Sequence, residues 1–230
     1  DKHFESCSMQ IYWVVVAGLS PVQAVTLDLW ETLLFEKEEY DAKRCQIRCR
    51  NLSRVLGGHG VPATPEKISD ALGAMAPWLR EIWDRNEDVT HIDQIRFIVR
   101  TIPGGSAEME EGWFDSLSKA YTSAIYELPP YLNPDAPGLL DWLRNQGIKI
   151  GLISNVGRTP GFALRNLLET EGMAGFFDVM VFSDEAGIRK PHPEIFLVAA
   201  KGLGVEPGSV VHIGDSLRSD VWGAKNAGMK

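Results

Sequence analysis

Asp28 and Asp215 set the terms for any chemistry in this chain. Asp28 falls within the apolar run Val25 to Leu29, and Asp215 follows the run Val210 to Ile213, with Asp220 five residues on. An aspartate at a strand end serves equally well as a helix cap or a metal ligand. Several carboxylates gathered at one place, however, repel unless a cation lies between them. Magnesium takes one or two protein carboxylates, keeps several waters and bridges to phosphate oxygens. Ser154 and Asn155 follow another apolar run, Ile148 to Ile153, and precede a helical stretch. A hydroxyl and backbone N–H groups in that position can hold a phosphate oxygen, although simple helix capping needs only one of the two residues. Lys190 lies in the Pro-bounded stretch Gly187 to Pro193. A point positive charge there can neutralise both carboxylates and an incoming phosphate, whereas a lone loop lysine is normally surface charge.

These residues act together only if the elements carrying them deliver them to one edge. The three apolar runs, and a fourth at Val179 to Phe182 ending in Ser183 and Asp184, are short and rich in β-branched residues, the pattern of buried parallel strands. Ligands in open α/β sheets bind at the carboxyl ends of such strands. Helical stretches at Pro137 to Asn145, Thr159 to Thr170 and Pro193 to Leu203 alternate with them, which predicts an α/β, Rossmann-like, doubly wound parallel sheet with helices on both faces. Residues 36–131 differ. They contain no convincing strand, and their apolar residues recur at helical spacing over Glu36 to Leu56, Pro65 to Trp83, Ile92 to Ile102 and Ala107 to Tyr126. The expectation is an inserted all-helical domain over 36–131 within a core formed by 21–35 and 132–230, with the Pro-rich stretch Leu128 to Pro137 as the return linker. Trp78, Trp83, Trp113 and Phe114 are read as the core of that helical unit.

Composition narrows the partners. A length of 230 residues suits one core plus a smaller unit, and 44% hydrophobic with 23% charged residues is ordinary for a globular protein. A formal charge of −8 argues against nucleic acid or an anionic membrane as partner, because both are held by clustered Lys and Arg. The basic run Lys43, Arg44, Arg48, Arg50 and Arg54 is read as a solvated helix face, preceded by Glu36, Glu38, Glu39 and Asp41. Cys7, Cys45 and Cys49 form neither a zinc-type pair of motifs nor a disulfide framework, which fits a cytoplasmic setting, with the latter two as packing residues. Ile11 to Leu19 is too short to span a bilayer and lacks a basic start. Residues 1–20 are read as a leader or appended segment, with Met9 as a possible natural start. Oligomeric state is not readable.

Taken together, the chain resembles the haloacid dehalogenase superfamily, whose four motifs follow in fixed order on a Rossmann-like core. The first reads VTLDLWETLL, the second GLISNVG, the third RKPHPEIF and the fourth VVHIGDSLRSDVWGAKNAGM, covering Val25 to Met229. The resemblance implies Asp28 as a covalent nucleophile and a small phosphorylated substrate contacted by Thr32, Ser154, Asn155 and Lys190. It implies magnesium on Asp28, the Trp30 carbonyl and Asp215, with Asp220 orienting Lys190 or metal-bound water. It also implies that the helical insert is a cap of the type placed between the first and second motifs, closing over small substrates. Similar proteins continue beyond the fourth motif with a further strand, so an outer strand is expected to follow Lys230.

One position departs from the pattern. Phosphatases of the superfamily usually carry a second aspartate two residues after the nucleophile, where this chain has Trp30. Indole is no acid or base near neutral pH, so general catalysis worth about 10²- to 10⁴-fold must come from elsewhere or be absent. Three readings follow. The first is a magnesium-dependent phosphatase with a good leaving group or a substitute acid such as Glu31. The second is a 2-haloacid dehalogenase-like or phosphonatase-like hydrolase, the latter needing a lysine such as Lys43 or Lys119. The third is a non-catalytic binding protein that keeps the fold. Asp215 counts against dehalogenation, because the dehalogenase fourth motif looks like Ser-Ser-Asn. Arg158 is read as pairing at a helix start, and Arg44, Arg48, Arg80 and Arg96 as surface charges.

Overall fold

The computed structural model describes residues 21–103 and 111–230. The elements run β1 (Ala24–Leu27), β2 (Leu34–Phe35), α1 (Tyr40–Gly58), α2 (Pro65–Asp84), α3 (His91–Thr101), α4 (Glu111–Glu127), β3 (Tyr131–Leu132), α5 (Ala136–Asn145), β4 (Lys149–Ser154), α6 (Gly161–Thr170), β5 (Val179–Phe182), α7 (Ser183–Ala186), α8 (Pro193–Leu203), β6 (Val210–Ile213) and α9 (Gly223–Asn226). A π-helical turn over Leu217–Trp222 precedes α9. The expected segment 1–20, with Met9 and the run Ile11 to Leu19, lies outside the described residues, as do residues 107–110 of the fourth expected helix of the insert.

Four strands form a parallel sheet in the order β5-β4-β1-β6, so β1 is flanked on both sides. Side chains alternate across a strand, which divides the core into two. On one face Val25, Leu27, Ile150 and Leu152 pack with Leu140 and Leu143 of α5 and Leu164 and Leu167 of α6. On the other, Ala24 and Ile153 pack with Ile195, Phe196 and Ala199 of α8 and Ala224 of α9. Helices on both faces of a parallel sheet make this the expected Rossmann-like α/β core.

Helices α1 to α4 pack on one another and have a hydrophobic cluster of their own, from Leu52 and Leu56 through Leu72, Met75 and Ile98 to Tyr121. Trp78, Trp83 and Trp113 pack at its edge, and Cys49 is buried within it, as read from spacing. Sequence-coded caps set the helix starts. Thr64 accepts from the Lys67 amide with Pro65 in the first turn, and Thr90 and Asp93 form a reciprocal capping box. The chain leaves the sheet through β2 and returns through β3, which pair antiparallel, Leu34 opposite Leu132 and Phe35 opposite Tyr131. This two-residue ribbon was not foreseen, because two residues carry no periodicity, and it moves the start of α1 from Glu36 to Tyr40.

The main correction concerns two members of the basic run, since Lys43, Arg50 and Arg54 are exposed as expected. Arg44 and Arg48 are only 5% and 2% exposed, so they are neither a solvated face nor surface charges, whereas Arg80 and Arg96 do lie at the surface. Arg48 is covered because α4 lies against α1 and the loop after β4 closes over it. Its Nε donates to the Tyr121 carbonyl at 3.0 Å and its Nη2 to the Arg158 carbonyl at 3.4 Å. At the other end of the chain, Lys230 exchanges backbone hydrogen bonds with Val210 and His212 along the outer edge of β6. Among the described residues no helix is long and apolar enough to cross a membrane.

Candidate active site

Three strand ends converge on a charged cluster. Asp28 follows β1, is 8% exposed, and its amide donates to the Ile213 carbonyl at 2.8 Å, which ties the turn to the end of β6. Lys190, 3% exposed, lies in the loop between α7 and α8. Its Nζ is 2.7 Å from Asp28 Oδ1 and 2.6 Å from Asp220 Oδ1. Ligand atoms of Asp28, Asp215 and Asp220 all lie within 4.8 Å of one another, and Asp215 is the exposed member. The Leu29 amide also donates to Asp28 Oδ1, at 2.7 Å. Both contacts fall on one oxygen, and Oδ2 accepts no hydrogen bond among the described residues.

The electrostatics divide the carboxylates into two kinds. Burial pushes the Asp28 carboxyl up to about 6, with Lys190 pulling against it and Asp220 adding to it. Burial would raise Asp220 as well, but hydrogen bonds from His212 and Lys190 and the lysine charge hold it down at about 2. Asp220 is therefore a permanent anion that fixes the lysine. Its Oδ2 accepts from the Ser216 amide at 3.0 Å, and His212 Nε2 donates to Oδ1 at 3.0 Å. His212 Nδ1 lies 2.9 Å from Thr26 Oγ1, and burial lowers the His212 pKa. Gly214 permits this packing. A Cβ there would lie 2.3 Å from Asp220 Cγ.

Of the other expected site residues, Asn155 holds Lys190 from its backbone, with Nδ2 donating to the Lys190 carbonyl at 2.9 Å and Oδ1 accepting from its amide at 2.7 Å. Its side chain thus positions the lysine in this structure. Ser154 is fully buried at the end of β4, its hydroxyl 3.3 Å from the Asn155 carbonyl. Thr32 stands apart. It is half-buried in the turn after Asp28, its carbonyl accepts from Asn133 Nδ2 at 3.0 Å, and its hydroxyl makes no hydrogen bond among the described residues. Asp184, at the fourth strand end, does not join the cluster. Its carboxylate accepts from the Gly161 amide and so caps α6.

The donor set suits a hard cation. Carboxylate oxygens converge, and the Trp30 carbonyl accepts no hydrogen bond among the described residues, which leaves its oxygen available as a ligand. Between the helical unit and the sheet lies a cavity of about 320 Å³ walled by Trp30, Arg44, Arg48, Arg80, Trp83 and Arg158. Of the two lysines that the phosphonate-cleaving alternative could use, Lys43 pairs with Glu39 on the surface and Lys119 is exposed.

Sequence reasoning missed the groups that hold the helical unit to the lysine loop. Asp88, between α2 and α3, accepts from Arg189 Nη1 at 2.8 Å and from Trp83 Nε1 at 3.1 Å, and takes the Ser183 hydroxyl. Backbone hydrogen bonds between Asn86 and Arg189 and between Asp88 and Gly187 add a short antiparallel bridge. No spacing rule links an aspartate between two helices to an arginine so far along the chain.

The model of the haloacid dehalogenase-like hydrolases matches residues 22–228. Over 104 residues the chain is 41% identical to a glyceraldehyde 3-phosphate phosphatase of Methanopyrus kandleri, covering 44% of this chain and 42% of that protein. Over 108 residues it is 32% identical to a phosphoglycolate phosphatase of Escherichia coli K12, covering 47% of this chain and 41% of that one. It thus spans less than half the length of these curated relatives. Among solved structures, a HAD phosphatase from Thermococcus onnurineus is similar with a TM-score of 0.55 and 29% identity, covering 90% of this chain and 84% of that one. A 2-haloacid dehalogenase from Pseudomonas syringae pv. Tomato superposes with a TM-score of 0.61 at 20% identity over 90% of this chain and 84% of that one, which speaks to fold alone.

Proposed function

This chain belongs to the haloacid dehalogenase-like hydrolases, and we propose that it is a magnesium-dependent phosphatase acting on a small phosphorylated metabolite through an aspartyl-phosphate at Asp28. The observation that carries this reading is Lys190 Nζ bridging Asp28 and Asp220 beside Asp215 at the carboxyl edge of the sheet. The two curated relatives described above, both named phosphatases, support the same direction.

In this reading Asp28 attacks phosphorus while the bond to the ester oxygen breaks, and water then cleaves the acyl phosphate to release inorganic phosphate and regenerate the carboxylate. Lys190, held from below by Asn155 and from the side by Asp220, offsets charge on the carboxylate and on the incoming phosphate. Ser154 and the amides after β4 receive the phosphate oxygens. Asp28, Asp215 and the Trp30 carbonyl would hold magnesium, which supplies charge neutralisation for the phosphoryl group. Asp215 is what favours phosphatase over dehalogenase within the same fold. The helical unit acts as a cap over the site, and the cavity beside Trp30 receives the leaving group.

The test uses p-nitrophenyl phosphate, whose leaving group needs no acid. Magnesium-dependent turnover is expected, with a loss of at least about 10³-fold in Asp28→Asn. Turnover that persists in that variant, or halide release from 2-haloacids without metal, would overturn the reading.

A further inference from the structure

We propose that the arginine-walled cavity binds a second anionic group of the substrate, so that the preferred substrates are small phosphate monoesters that also carry a carboxylate. The inference rests on the phosphatase reading for the phosphate end and adds a requirement at the other end.

Arg48 carries it furthest. The residue is 2% exposed, makes no ion pair with any described carboxylate, and among the described residues its guanidinium is met by two backbone carbonyls and the face of Tyr121, with its carbon 4.8 Å from the ring centre. A buried cation without an anion is unfavourable, and a folded chain tolerates it where a ligand supplies the missing charge. Arg44, one turn earlier, is paired but not fully satisfied. It is 5% exposed, one end is taken by Glu36 and the Leu128 carbonyl, and its Nη2 is buried with no hydrogen-bond partner. Arg158 and Arg80 complete the wall. Of the two, Arg158 is paired, with Asp41 at 3.1 Å.

Four arginines and two carboxylates, Glu36 paired with Arg44 and Asp41 with Arg158, therefore line one small cavity in a chain whose formal charge is −8. A positive concavity on an acidic protein is a local device for an anion. The guanidinium fork matches a carboxylate in two-point geometry. Position links it to the reaction. Trp30, two residues after Asp28, forms one wall, and Gly157 to Thr159, which follow the Ser154 and Asn155 pair, form another. At about 320 Å³ the space is at the small end of ligand sites, enough for a short acid and not for a nucleotide. An indole fits this wall better than an aspartate, whose charge would repel the same anion.

The test compares two esters of nearly equal shape, 2-phosphoglycolate and ethyl phosphate, as ligands of the Asp28→Asn variant with magnesium present, by calorimetry. Binding at least about tenfold tighter for phosphoglycolate is expected, about 1.4 kcal/mol. The preference should fall at least fivefold when Arg48→Gln or Arg80→Gln is added. Arg80 is exposed, so its variant reports even if the loss of Arg48 prevents folding. Equal affinities, no detectable binding of either ester, or a preference that survives both substitutions overturns the proposal. Turnover of p-nitrophenyl phosphate by the unmodified chain judges the phosphatase reading separately.

Discussion

Trp30 concentrates the chemistry of this chain in one residue. Its carbonyl accepts no hydrogen bond among the described residues, it walls the cavity, and its side chain cannot give a proton. In the proposed reaction, expulsion of a poor alkoxide leaving group is therefore the step left without help. Trp30→Asp is expected to raise kcat on alkyl phosphates about tenfold or more relative to p-nitrophenyl phosphate, while raising KM for acidic esters; parallel steady-state assays check it. An unchanged ratio would show that another group already gives the proton. The gathering of Asp28, Lys190, Asp215 and Asp220 was legible in the sequence because Asp28 and Asp215 closely follow strands, whereas Lys190 and Asp220 lie in the segments that come after strands β5 and β6. Arg44 and Arg48 were not, because helical spacing shows that residues share a face and does not show what covers it. His212 was missed for a related reason. Within an apolar strand it reads as one more core position until Thr26 and Asp220 are seen on either side of its ring.

Among the elements, the contact that most constrains the site is the bridge from the connection between α2 and α3 to the loop carrying Lys190. Asp88 is buried there, with Arg189 held between its carboxylate and the Trp83 ring, 4.3 Å away. Removing one partner of a buried pair leaves the other uncompensated, so Asp88→Ala is expected to cost about 3 kcal/mol, read from the urea midpoint. Because Arg189 adjoins Lys190, the same variant should lose activity beyond what its unfolded fraction explains. Activity that merely tracks the folded fraction would make the bridge a stability element alone. The strands and most helices were predicted to within a few residues, since buried parallel strands read as continuous apolar runs and Thr64, Thr90 and Pro193 mark helix starts. The β2 and β3 ribbon and the Asp88 bridge depend on pairings distant in sequence, which local pattern does not encode.

Across the whole molecule, acidity and metal are linked. Asp28, Asp215 and Asp220 crowd negative charge at one edge of a protein of net charge −8, with only the Lys190 side chain bonded between two of them. A cation that binds the folded state alone stabilises it by about 2.7 kcal/mol at a hundred times its Kd. Magnesium at that level is expected to raise Tm by about 5 to 10 °C, and Asp215→Asn, at an exposed position, should remove the shift while leaving the metal-free Tm nearly unchanged. A scanning calorimeter gives both numbers, and a full shift in the variant would move the cation site elsewhere.

The place of β1 in the sheet also has a consequence in time. It is the first described strand in the chain, yet both of its neighbours, β4 and β6, come from beyond the four helices of the insert. During synthesis at roughly 5 to 20 residues per second, the segment that will carry Asp28 leaves the ribosome on the order of ten seconds before Lys149 to Ser154 can pair with it. Helices α1 to α4, with their own apolar cluster, have the means to fold in that interval. The nascent strand must wait with both edges open, so the vulnerable moment for aggregation falls during translation, before the active site exists.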